Sequence, residues 1–300
     1  MKILLTGAGG FIGSALLPLL LQYGHDVTVL TRPDTMKPIA TVPGNDPASC
    51  EILTAEPDGW ATAVGSRSFD VCMHLAWIAT PGVYLNSPEN DLFADCSVAL
   101  AERLFANGTP HFIGTGTGIE YAPDQEKSCH ETMTPLAPHS VYGRAKARTY
   151  HELAGLAQKY QTGATWARVF YPYGLGEHPA RTASSFLRSL AAGHALQLKT
   201  SSSRKDFIEI SDLAGALMHL IPGPPQGAVN IGTGLATSIR ELALLACDLT
   251  DADPALVQEV NPPGYDPYRC HVADIAKVRA AGWSPVMSLN GGLARLLDSL

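Results

Sequence analysis

A glycine-rich loop near the start of the chain is the feature that most restricts its fold. The apolar run Lys2–Thr6 predicts a short strand, and the segment Ser14–Tyr23 behind the loop predicts a helix. Between them, Gly7, Gly10 and Gly13 recur at every third position. A loop of this kind between a strand and a helix presents backbone N–H groups at the helix N-terminus, where a pyrophosphate binds. We interpret the loop as a dinucleotide cradle, and a purely structural glycine turn is the alternative.

The order of predicted elements indicates an α/β fold built on a doubly wound parallel sheet. Strands and amphipathic helices alternate through the first half of the chain, as they do in sheets of this type. The predicted strands are 25–30, 69–76, 111–114 and 165–170, and the predicted helices are 91–106 and 142–160. Clusters of glycine, serine and proline then interrupt the alternation. We predict a dinucleotide-binding domain over 1–170, with a return segment near 205–220, and a smaller α/β substrate lobe over 171–300.

Charge and cysteine usage narrow the class of protein. The net charge of −7 argues against a nucleic-acid partner, because such proteins present basic surfaces. The six cysteines show no metal-binding spacing, so we predict no metal site and a reducing, cytoplasmic location. The first residues run directly into a strand without signal-peptide features, and the apolar run 16–21 is too short to span a bilayer. We therefore expect no membrane partner.

The residues after the second predicted strand favour NADP over NAD. In NAD-binding sheets an acidic residue at this strand end holds the adenosine ribose. Here the strand is followed by Thr31 and Arg32, with no acid at its tip. Arg32 suits a 2′-phosphate, and Thr31 avoids the repulsion that a carboxylate would add. Asp34 follows Pro33 in a predicted turn, so NAD remains the alternative, as does a merely solvated Arg32.

A tyrosine and a lysine four residues apart form a candidate catalytic pair. Tyr142 and Lys146 fall on one face of the predicted helix, one turn apart. An ammonium beside a phenol lowers the phenol pKa, which lets the tyrosine exchange a proton with an alcohol oxygen. Lys146 is also placed to hold the nicotinamide ribose. The spacing alone is a weak signal, because many helices contain it by chance.

Two threonines at the end of the strand 111–114 supply hydroxyls for the same site. Thr115 and Thr117 lie at the carboxyl end of that strand, where ligands of open α/β sheets bind. Either hydroxyl would hydrogen-bond the reacting oxygen, and a Thr/Gly turn without a function is the alternative. We interpret His74 as a buried core or near-cofactor residue, and Trp77 as a residue of either the cleft or the packing.

Together these motifs resemble the extended short-chain dehydrogenase/reductase family, which contains nucleotide-sugar epimerases, dehydratases and reductases. The resemblance covers nearly the whole chain and is carried by TGAGGFIG (Thr6–Gly13), DVCMHLAW (Asp70–Trp77), GTGTGIEY (Gly114–Tyr121), PHSVYGRAK (Pro138–Lys146), ARVFYPYG (Ala167–Gly174), KDFIEISDLAGAL (Lys205–Leu217), VNIGTG (Val229–Gly234) and ADIAKVRAAGWSP (Ala273–Pro285). It implies a Rossmann domain, a C-terminal nucleotide-sugar lobe and a homodimer through paired helices. The implied partner is a nucleotide-sugar substrate.

The resemblance also implies roles for single residues. Tyr142 and Lys146 fall on the family's catalytic tyrosine and lysine. Thr117 falls on its catalytic Ser/Thr, and Thr115 is the fallback. The expected dinucleotide contacts are Gly7, Gly10, Phe11, Ile12, Gly13, Arg32, Leu75, Ala76, Lys146 and Phe170. The expected substrate contacts are Thr117, Tyr142, Tyr171, Arg269 and Arg204, with Lys205 as the alternative to Arg204.

Two departures from the family pattern restrict the chemistry. Dehydratases of this family place Asp–Glu directly after the catalytic threonine, whereas Gly118–Ile119 follow Thr117 here. The acid and base for eliminating water are therefore missing, which disfavours 4,6-dehydration, and we do not assign Glu120 to either role. The family's asparagine after Arg168 is replaced by Tyr171, which changes a substrate contact.

The leading hypothesis is an NADPH-dependent reductase of a nucleotide-linked 4-keto-6-deoxy sugar. Tyr142 would give the proton, Thr117 would steady the oxygen, and Lys146 would keep the phenol acidic. The strand end at Thr31–Arg32 carries this choice, because a reductase consumes NADPH whereas an epimerase recycles bound NAD⁺. An NAD-dependent nucleotide-sugar 4-epimerase with the same three residues is the alternative. A non-catalytic NADP-sensing protein is a third hypothesis.

Overall fold

Strands and helices alternate along the chain in the structure, a computed structural model that describes residues 1–33, 50–123, 125–224 and 227–300. The strands in these ranges are β1 (Lys2–Thr6), β2 (Asp26–Thr31), β3 (Cys50–Thr54), β4 (Val71–His74), β5 (His111–Thr117), β6 (Gly163–Val169), β7 (Pro172–Tyr173), β8 (Leu196–Leu198), β9 (Arg204–Lys205), β10 (Ile208–Glu209), β11 (Gly227–Ile231), β12 (Thr237–Ser238), β13 (Val257–Glu259) and β14 (Cys270–His271). The α-helices are α1 (Phe11–Gln22), α2 (Trp60–Ala63), α3 (Glu89–Ala106), α4 (Val141–Tyr160), α5 (Thr182–Ala191), α6 (Ile210–Leu220), α7 (Ile239–Leu249), α8 (Ala276–Ala280) and α9 (Leu289–Leu297).

Within the part of the chain that the structure describes, seven strands form a central sheet in the order β11, β6, β5, β4, β1, β2, β3. β1 pairs with β2 and β4, β2 pairs with β3, and β4 pairs with β5, all in parallel register. The chain order reverses between β1 and β4, which is the switch point where open α/β sheets bind ligands. The register places Thr6 beside Leu30 and His74, and His74 beside Gly114. The predicted doubly wound α/β fold is confirmed.

The first of two compact units carries most of this sheet. It comprises Met1–Glu120, Ser140–Arg168 and Ala214–Val229. Its core contains buried side chains from both the sheet and the helices, among them Leu4, Leu100, Phe112, Leu153 and Trp166. Burying apolar side chains on one face of each element is what holds such layers together.

Helix α4 is oriented by its N-terminal cap and by a buried stripe. The Ser140 hydroxyl accepts a hydrogen bond from the Gly143 N–H at 3.0 Å, which caps the first turn. The buried stripe recurs every four residues, at Ala145, Thr149, Leu153 and Ala157. This phase also turns Lys146 toward the interior, where it is 2% exposed.

The second unit contains the remaining strands in small sheets. It comprises Tyr121–His139, Val169–Leu213 and Asn230–Leu300. Its sheets have the strand orders β10–β7, β12–β9–β14 and β13–β8. Side chains of α5, α7 and α9 form its core, including Leu187, Leu242 and Leu293. The predicted boundary between a Rossmann domain and a substrate lobe stays a prediction.

Two strands of the central sheet do not appear in the sequence prediction. β3 and β11 are each five residues long. Runs this short cannot be assigned by periodicity alone, because helices and strands look alike over so few positions. The predicted return segment near 205–220 forms β9, β10 and α6, and the strand that joins the central sheet after it is β11.

No disulfide joins the six cysteines, all of which lie in described ranges. Among the residues that the structure describes, no group of three His, Cys, Asp or Glu side chains is arranged to hold a metal ion. In the same ranges, no helix combines the length and the apolar character needed to cross a membrane.

The glycine loop, taken from Gly7 to Gly13 in the first turn of α1, packs so closely that two of its glycines have no room for a side chain. Gly7 has a φ of +73°, and a Cβ built on it would lie 2.7 Å from the Ala76 backbone nitrogen. A Cβ built on Gly13 would lie 2.6 Å from the Ala8 Cα. Real Cβ atoms essentially never approach other heavy atoms within 3.0 Å, so this loop requires glycine at both positions.

We expect Gly13→Ala to destabilise the chain, because backbone atoms of the loop would have to move to admit the methyl group. The expected loss in the free energy of unfolding is at least about 2 kcal/mol, as for other overpacked sites. Guanidinium denaturation followed by circular dichroism measures it. Gly155→Ala is the matched control, since a Cβ at this exposed position on α4 meets nothing within 4 Å. The control should gain about 0.5–1 kcal/mol, and an equal loss in both variants would contradict the close packing.

Candidate functional site

The glycine loop leaves the N-terminus of α1 at the carboxyl edge of the central sheet. Gly10 is the N-cap residue, so it brings no side chain over the first turn at Phe11 and Ile12. Its N–H donates to the Gly7 carbonyl oxygen at 3.0 Å, which closes the turn. A close-packed loop with a glycine cap fits the pyrophosphate of a dinucleotide, because the phosphates can approach the backbone N–H groups and the positive end of the helix dipole.

A buried chain of hydrogen bonds supports the backbone opposite this loop. The Thr6 Oγ1 accepts from the N–H groups of Leu75 and Ala76 at 3.2 and 3.1 Å. It also lies 2.8 Å from His74 Nδ1, and His74 Nε2 lies 2.8 Å from Ser97 Oγ. These bonds hold Leu75 and Ala76, two of the expected dinucleotide contacts, where Ala76 packs against the loop.

One histidine tautomer satisfies every group in this chain. Because the Thr6 oxygen already accepts two N–H bonds, its own hydrogen points to His74 Nδ1. His74 Nε2 then carries the ring hydrogen and donates to Ser97, whose hydroxyl donates to the Phe93 carbonyl oxygen at 2.6 Å. Burial, together with the smaller effect of the nearby Lys146 charge, lowers the pKa of His74 to about 3. The histidine is therefore neutral at physiological pH.

The tip of β2 carries an arginine and no acid. Thr31 is 5% exposed, and Arg32 beyond it is exposed. Asp34, the acid considered for an NAD ribose, lies outside the residues that the structure describes. The described part of the strand end therefore offers a guanidinium to a nearby anion.

Lys146 is buried beside the end of β5. Its Nζ donates to the Thr115 carbonyl oxygen at 2.7 Å and lies 3.7 Å from the centre of the Trp77 ring. The Tyr142 ring centre is 5.8 Å from the same nitrogen. Burial lowers the pKa of Lys146 to about 7, and the negative charge of Glu120 opposes that effect. With a pKa of about 7, Lys146 can gain or lose its charge near neutral pH, as groups in proton-transfer sites do.

Tyr142 stands in the first turn of α4 among aromatic rings. Its N–H donates to the Leu85 carbonyl oxygen at 3.0 Å. Its ring meets Tyr84 edge-on at 4.9 Å between centres and Trp77 at 6.4 Å. The side chain is half-buried and is therefore within reach of solvent. It lies one helical turn from Lys146.

The two threonines of β5 differ in their surroundings. The Thr115 hydroxyl is buried and donates to the His74 carbonyl oxygen at 3.2 Å. Thr117 is half-buried, and its N–H donates to Glu120 Oε1 at 2.8 Å. Since the Thr115 hydroxyl has a structural bond, Thr117 is the better candidate for contact with a reacting oxygen.

Glu120 forms a buried ion pair that the sequence analysis did not predict. Its Oε2 accepts from the Arg168 Nε at 2.8 Å, and both side chains are 0% exposed. The Trp166 Nε1 donates to the same carboxylate at 2.9 Å. The signal was present in the sequence, because an arginine in the predicted buried strand 165–170 requires an anionic partner. Glu120 therefore fixes the Thr117 backbone.

Two predicted contacts lie in the second unit beside His271. The Phe170 ring is 1% exposed and lies 5.0 Å from the His271 ring between centres. The Tyr171 hydroxyl lies 2.9 Å from His271 Nδ1. Tyr171 is half-buried, so part of its ring remains available to a ligand. Their contacts with cofactor and substrate stay predictions.

The two predicted arginines line a cleft of the second unit. Arg204 and Arg269 are both exposed, and the cleft has a volume of about 330 Å³, with Gln125, Glu126, Ser202 and Cys270 as its other lining residues. Lys205 is 7% exposed and its Nζ donates to Asp266 at 2.7 Å. Neighbouring residues of a strand point to opposite faces, so only Arg204 lines the cleft while Lys205 faces inward.

The comparisons with known proteins agree with this arrangement. Residues 3–232 match the family model described as "NAD dependent epimerase/dehydratase family". The chain belongs to this family. The predicted membership of the extended short-chain dehydrogenases/reductases is confirmed, and so is the prediction of an NAD(P)-dependent enzyme.

Relatives of this epimerase/dehydratase-family chain match it over nearly its full length. The UDP-glucuronic acid decarboxylase 6 of Arabidopsis thaliana is 26% identical, over 98% of this chain and 87% of that protein. The UDP-glucose 4-epimerase of Corynebacterium glutamicum is 24% identical, over 95% of this chain and 91% of that protein. The structure of a Thermotoga maritima UDP-glucose 4-epimerase with UDP-glucose gives a TM-score of 0.85 at 24% identity, covering 100% and 98% of the two chains. It supports the fold.

We expect the chain to lose stability in acid through His74. In the unfolded chain His74 takes up a proton as the pH falls below its ordinary pKa of 6.5. In the folded chain its pKa is about 3, so it stays neutral down to about that pH. The stability present above pH 6.5 is therefore lost as the pH falls through this window, by about 1.4 kcal/mol per pH unit for one proton. Urea denaturation from pH 7 to 4.5 should show a shallower slope for His74→Gln. His151→Gln, on the exposed side of α4, should keep the wild-type slope. Parallel curves for all three proteins would contradict the buried neutral histidine.

We expect Glu120→Gln to be costly, because it leaves the buried Arg168 guanidinium without its carboxylate. Breaking a buried pair in this way costs about 3–5 kcal/mol in unfolding free energy. Glu102→Gln is the matched control, since Glu102 and Lys159 are 2.7 Å apart, close to the 2.8 Å of the buried pair, but 44% and 59% exposed. The control should lose less than about 1 kcal/mol. Chemical denaturation measures the free energy of unfolding of both variants. Similar losses would show that the buried ion pair contributes no more to stability than the exposed one.

Proposed function

We propose that the chain is an NADPH-dependent reductase of a nucleotide-linked 4-keto-6-deoxy sugar. The observation that carries this choice is the tip of β2, where a buried Thr31 and an exposed Arg32 replace the acid that would hold an NAD ribose. A guanidinium there pairs with a 2′-phosphate. The proposal includes a cytoplasmic location and a homodimer through α3 and α4.

The chain's own residues would handle the proton of the reaction. When bound, the nicotinamide dinucleotide supplies the hydride that reduces the keto carbon. Tyr142 gives its phenolic proton to the developing alkoxide, and Thr117 donates a hydrogen bond to the same oxygen. Lys146 stabilises the phenolate that remains, and solvent at the half-buried Tyr142 restores the proton.

The contacts of Glu120 support reduction over elimination of water. Dehydration requires a free acid and base near the threonine, and the residues directly after Thr117 are Gly118 and Ile119. Glu120 is fully buried, and its carboxylate is bound to Arg168 and Trp166. It is therefore committed to structure and cannot reach a substrate.

The cleft lined by Arg204 and Arg269 supports a substrate that is bound through a nucleotide diphosphate. Arg204 and Arg269 bring two guanidinium groups to one cleft in a chain of net charge −7. Guanidinium groups bind phosphate oxygens through paired hydrogen bonds. Tyr171, half-buried beside His271, is the proposed contact for another part of the substrate.

A nucleotide-sugar 4-epimerase is the second candidate. It is supported by the curated relatives named UDP-glucose 4-epimerase, which match 95% and 99% of this chain. An epimerase would use the same Tyr142, Thr117 and Lys146 and would return its bound dinucleotide to the starting state after each turnover. NAD would then be the cofactor, and Arg32 would have no role in choosing it.

Cofactor oxidation tests the two candidates directly. We expect oxidation of NADPH, faster than NADH, with at least one member of a panel of nucleotide-linked 4-keto-6-deoxy sugars. Tyr142→Phe should lower kcat by about 100-fold or more, as loss of a general acid does. Tyr160→Phe, at the far end of the same helix, is the matched control and should keep the wild-type rate. Arg32→Ala should raise the KM for NADPH and leave that for NADH unchanged.

Two other sets of results would reject the reductase. Interconversion of two 4-hydroxy nucleotide sugars without added cofactor, together with no oxidation of NADPH against the whole panel, would replace the reductase with the epimerase. NADPH binding without any turnover, unaffected by Tyr142→Phe, would indicate the non-catalytic sensor.

A further inference from the structure

Trp77 makes the closest aromatic contact with the buried lysine. Lys146 Nζ lies 3.7 Å from the centre of the Trp77 ring, against 5.7 Å for Trp166 and 5.8 Å for Tyr142. An ammonium over an indole face is attracted by the ring quadrupole, most strongly where water is excluded. At 2% exposure, Lys146 is in such a place.

The indole is held in position by a buried asparagine. Trp77 Nε1 donates to Asn90 Oδ1 at 2.8 Å. Asn90 is 0% exposed, and its Nδ2 donates to the carbonyl oxygens of Tyr84 and Ser87 at 2.7 and 2.8 Å. The amide of Asn90 has both its donors and its acceptor in use, so its orientation is fixed. Its oxygen therefore holds the nitrogen edge of the Trp77 indole in place.

Two features of the surroundings disfavour the charged form of Lys146: its burial and its single described hydrogen-bond acceptor. Its described hydrogen bond goes to one acceptor, the Thr115 carbonyl oxygen, although an ammonium has three N–H groups. Burial lowers the pKa of Lys146 to about 7 and so favours the neutral amine. A negative ring face beside Nζ favours the charged form instead.

The charged and titratable neighbours leave a clear role for the indole. Glu120 attracts the Lys146 charge, but its carboxylate is paired with Arg168 at 2.8 Å. His74 on β4 is neutral near physiological pH, so it neither helps nor opposes. Tyr142 on the same helix presents its ring centre at 5.8 Å. After the Thr115 carbonyl oxygen at 2.7 Å, the nearest uncharged group among the described contacts that favours the charged lysine is the Trp77 ring at 3.7 Å.

We propose that Trp77 is a positioning residue of this site, whose indole face keeps the Lys146 side chain charged and directed at Thr115. Trp77 also packs against the Tyr142 ring, at 6.4 Å and 76°. One side chain therefore orients both members of the pair. The catalytic meaning of this role rests on the proposed function, whereas the contact itself does not.

A titration of the dinucleotide-free chain tests the proposal without any substrate. With ¹³Cε-labelled lysine, the eight lysines give separate NMR signals, and Lys146→Met assigns the one of interest. We expect Trp77→Leu to lower the pKa of Lys146 by about one unit, equivalent to about 1.4 kcal/mol. Trp77→Phe keeps an aromatic face and should give a smaller but measurable fall. The Lys205 signal is the internal control, because its ring contact is Tyr171 at 5.2 Å and neither variant touches it.

Each outcome decides the proposal. If Trp77→Leu does not fold, the fall in Trp77→Phe decides alone, since that variant removes less volume. An unchanged Lys146 pKa in every folded variant would overturn the proposal and assign Trp77 to packing only. A shifted pKa together with no turnover of any nucleotide sugar would keep this inference and reject the proposed reductase.

The pH profile of turnover gives a second readout. In the reductase assay, the limb of the kcat profile that follows loss of the lysine charge should move down by the same pKa difference in Trp77→Leu. A merely structural defect would lower kcat at every pH and leave the limb in place.

Discussion

The parallel register of β1, β4 and β5 brings the glycine loop, the Leu75–Ala76 backbone and the end of β5 to one edge of the central sheet. Thr6 lies beside His74 and His74 beside Gly114, so the chain leaves these three strands along one edge. The glycine loop begins there, Leu75 and Ala76 follow there, and the Thr115 carbonyl oxygen receives the Lys146 ammonium there. A slip of one residue in this register would turn each side chain to the opposite face of the sheet.

Buried polar groups make this edge rigid. Thr6, His74 and Ser97 form one chain of hydrogen bonds, and Glu120 and Arg168 form an ion pair. In a low dielectric such groups are costly unless each has its partner, so their partners fix the backbone around them. Thr117 and Tyr142 are half-buried rather than fully buried, as their proposed contact with a substrate requires.

Several features could be predicted from the sequence because they are local. The glycine loop, the strand before it and the Tyr142–Lys146 spacing each depend on residues within one or two turns of chain. The short strands β3 and β11 could not be predicted, since five-residue runs acquire their identity from the neighbours they pair with. The partner of the buried Arg168 could not be named for a similar reason, because Glu120 is 48 residues away along the chain.

The sequence by itself determined the fold class, the family and the identity of the residues at the candidate site, because strand–loop–helix order and motif spacing are written along the chain. Only the tertiary structure decided which of those residues are buried in structural contacts and which stay partly exposed. It separated Thr115 from Thr117 and Arg204 from Lys205, and it placed Trp77 over Lys146. The physical reason is that burial, partner choice and charge state depend on side chains brought together from distant segments, which no local pattern records.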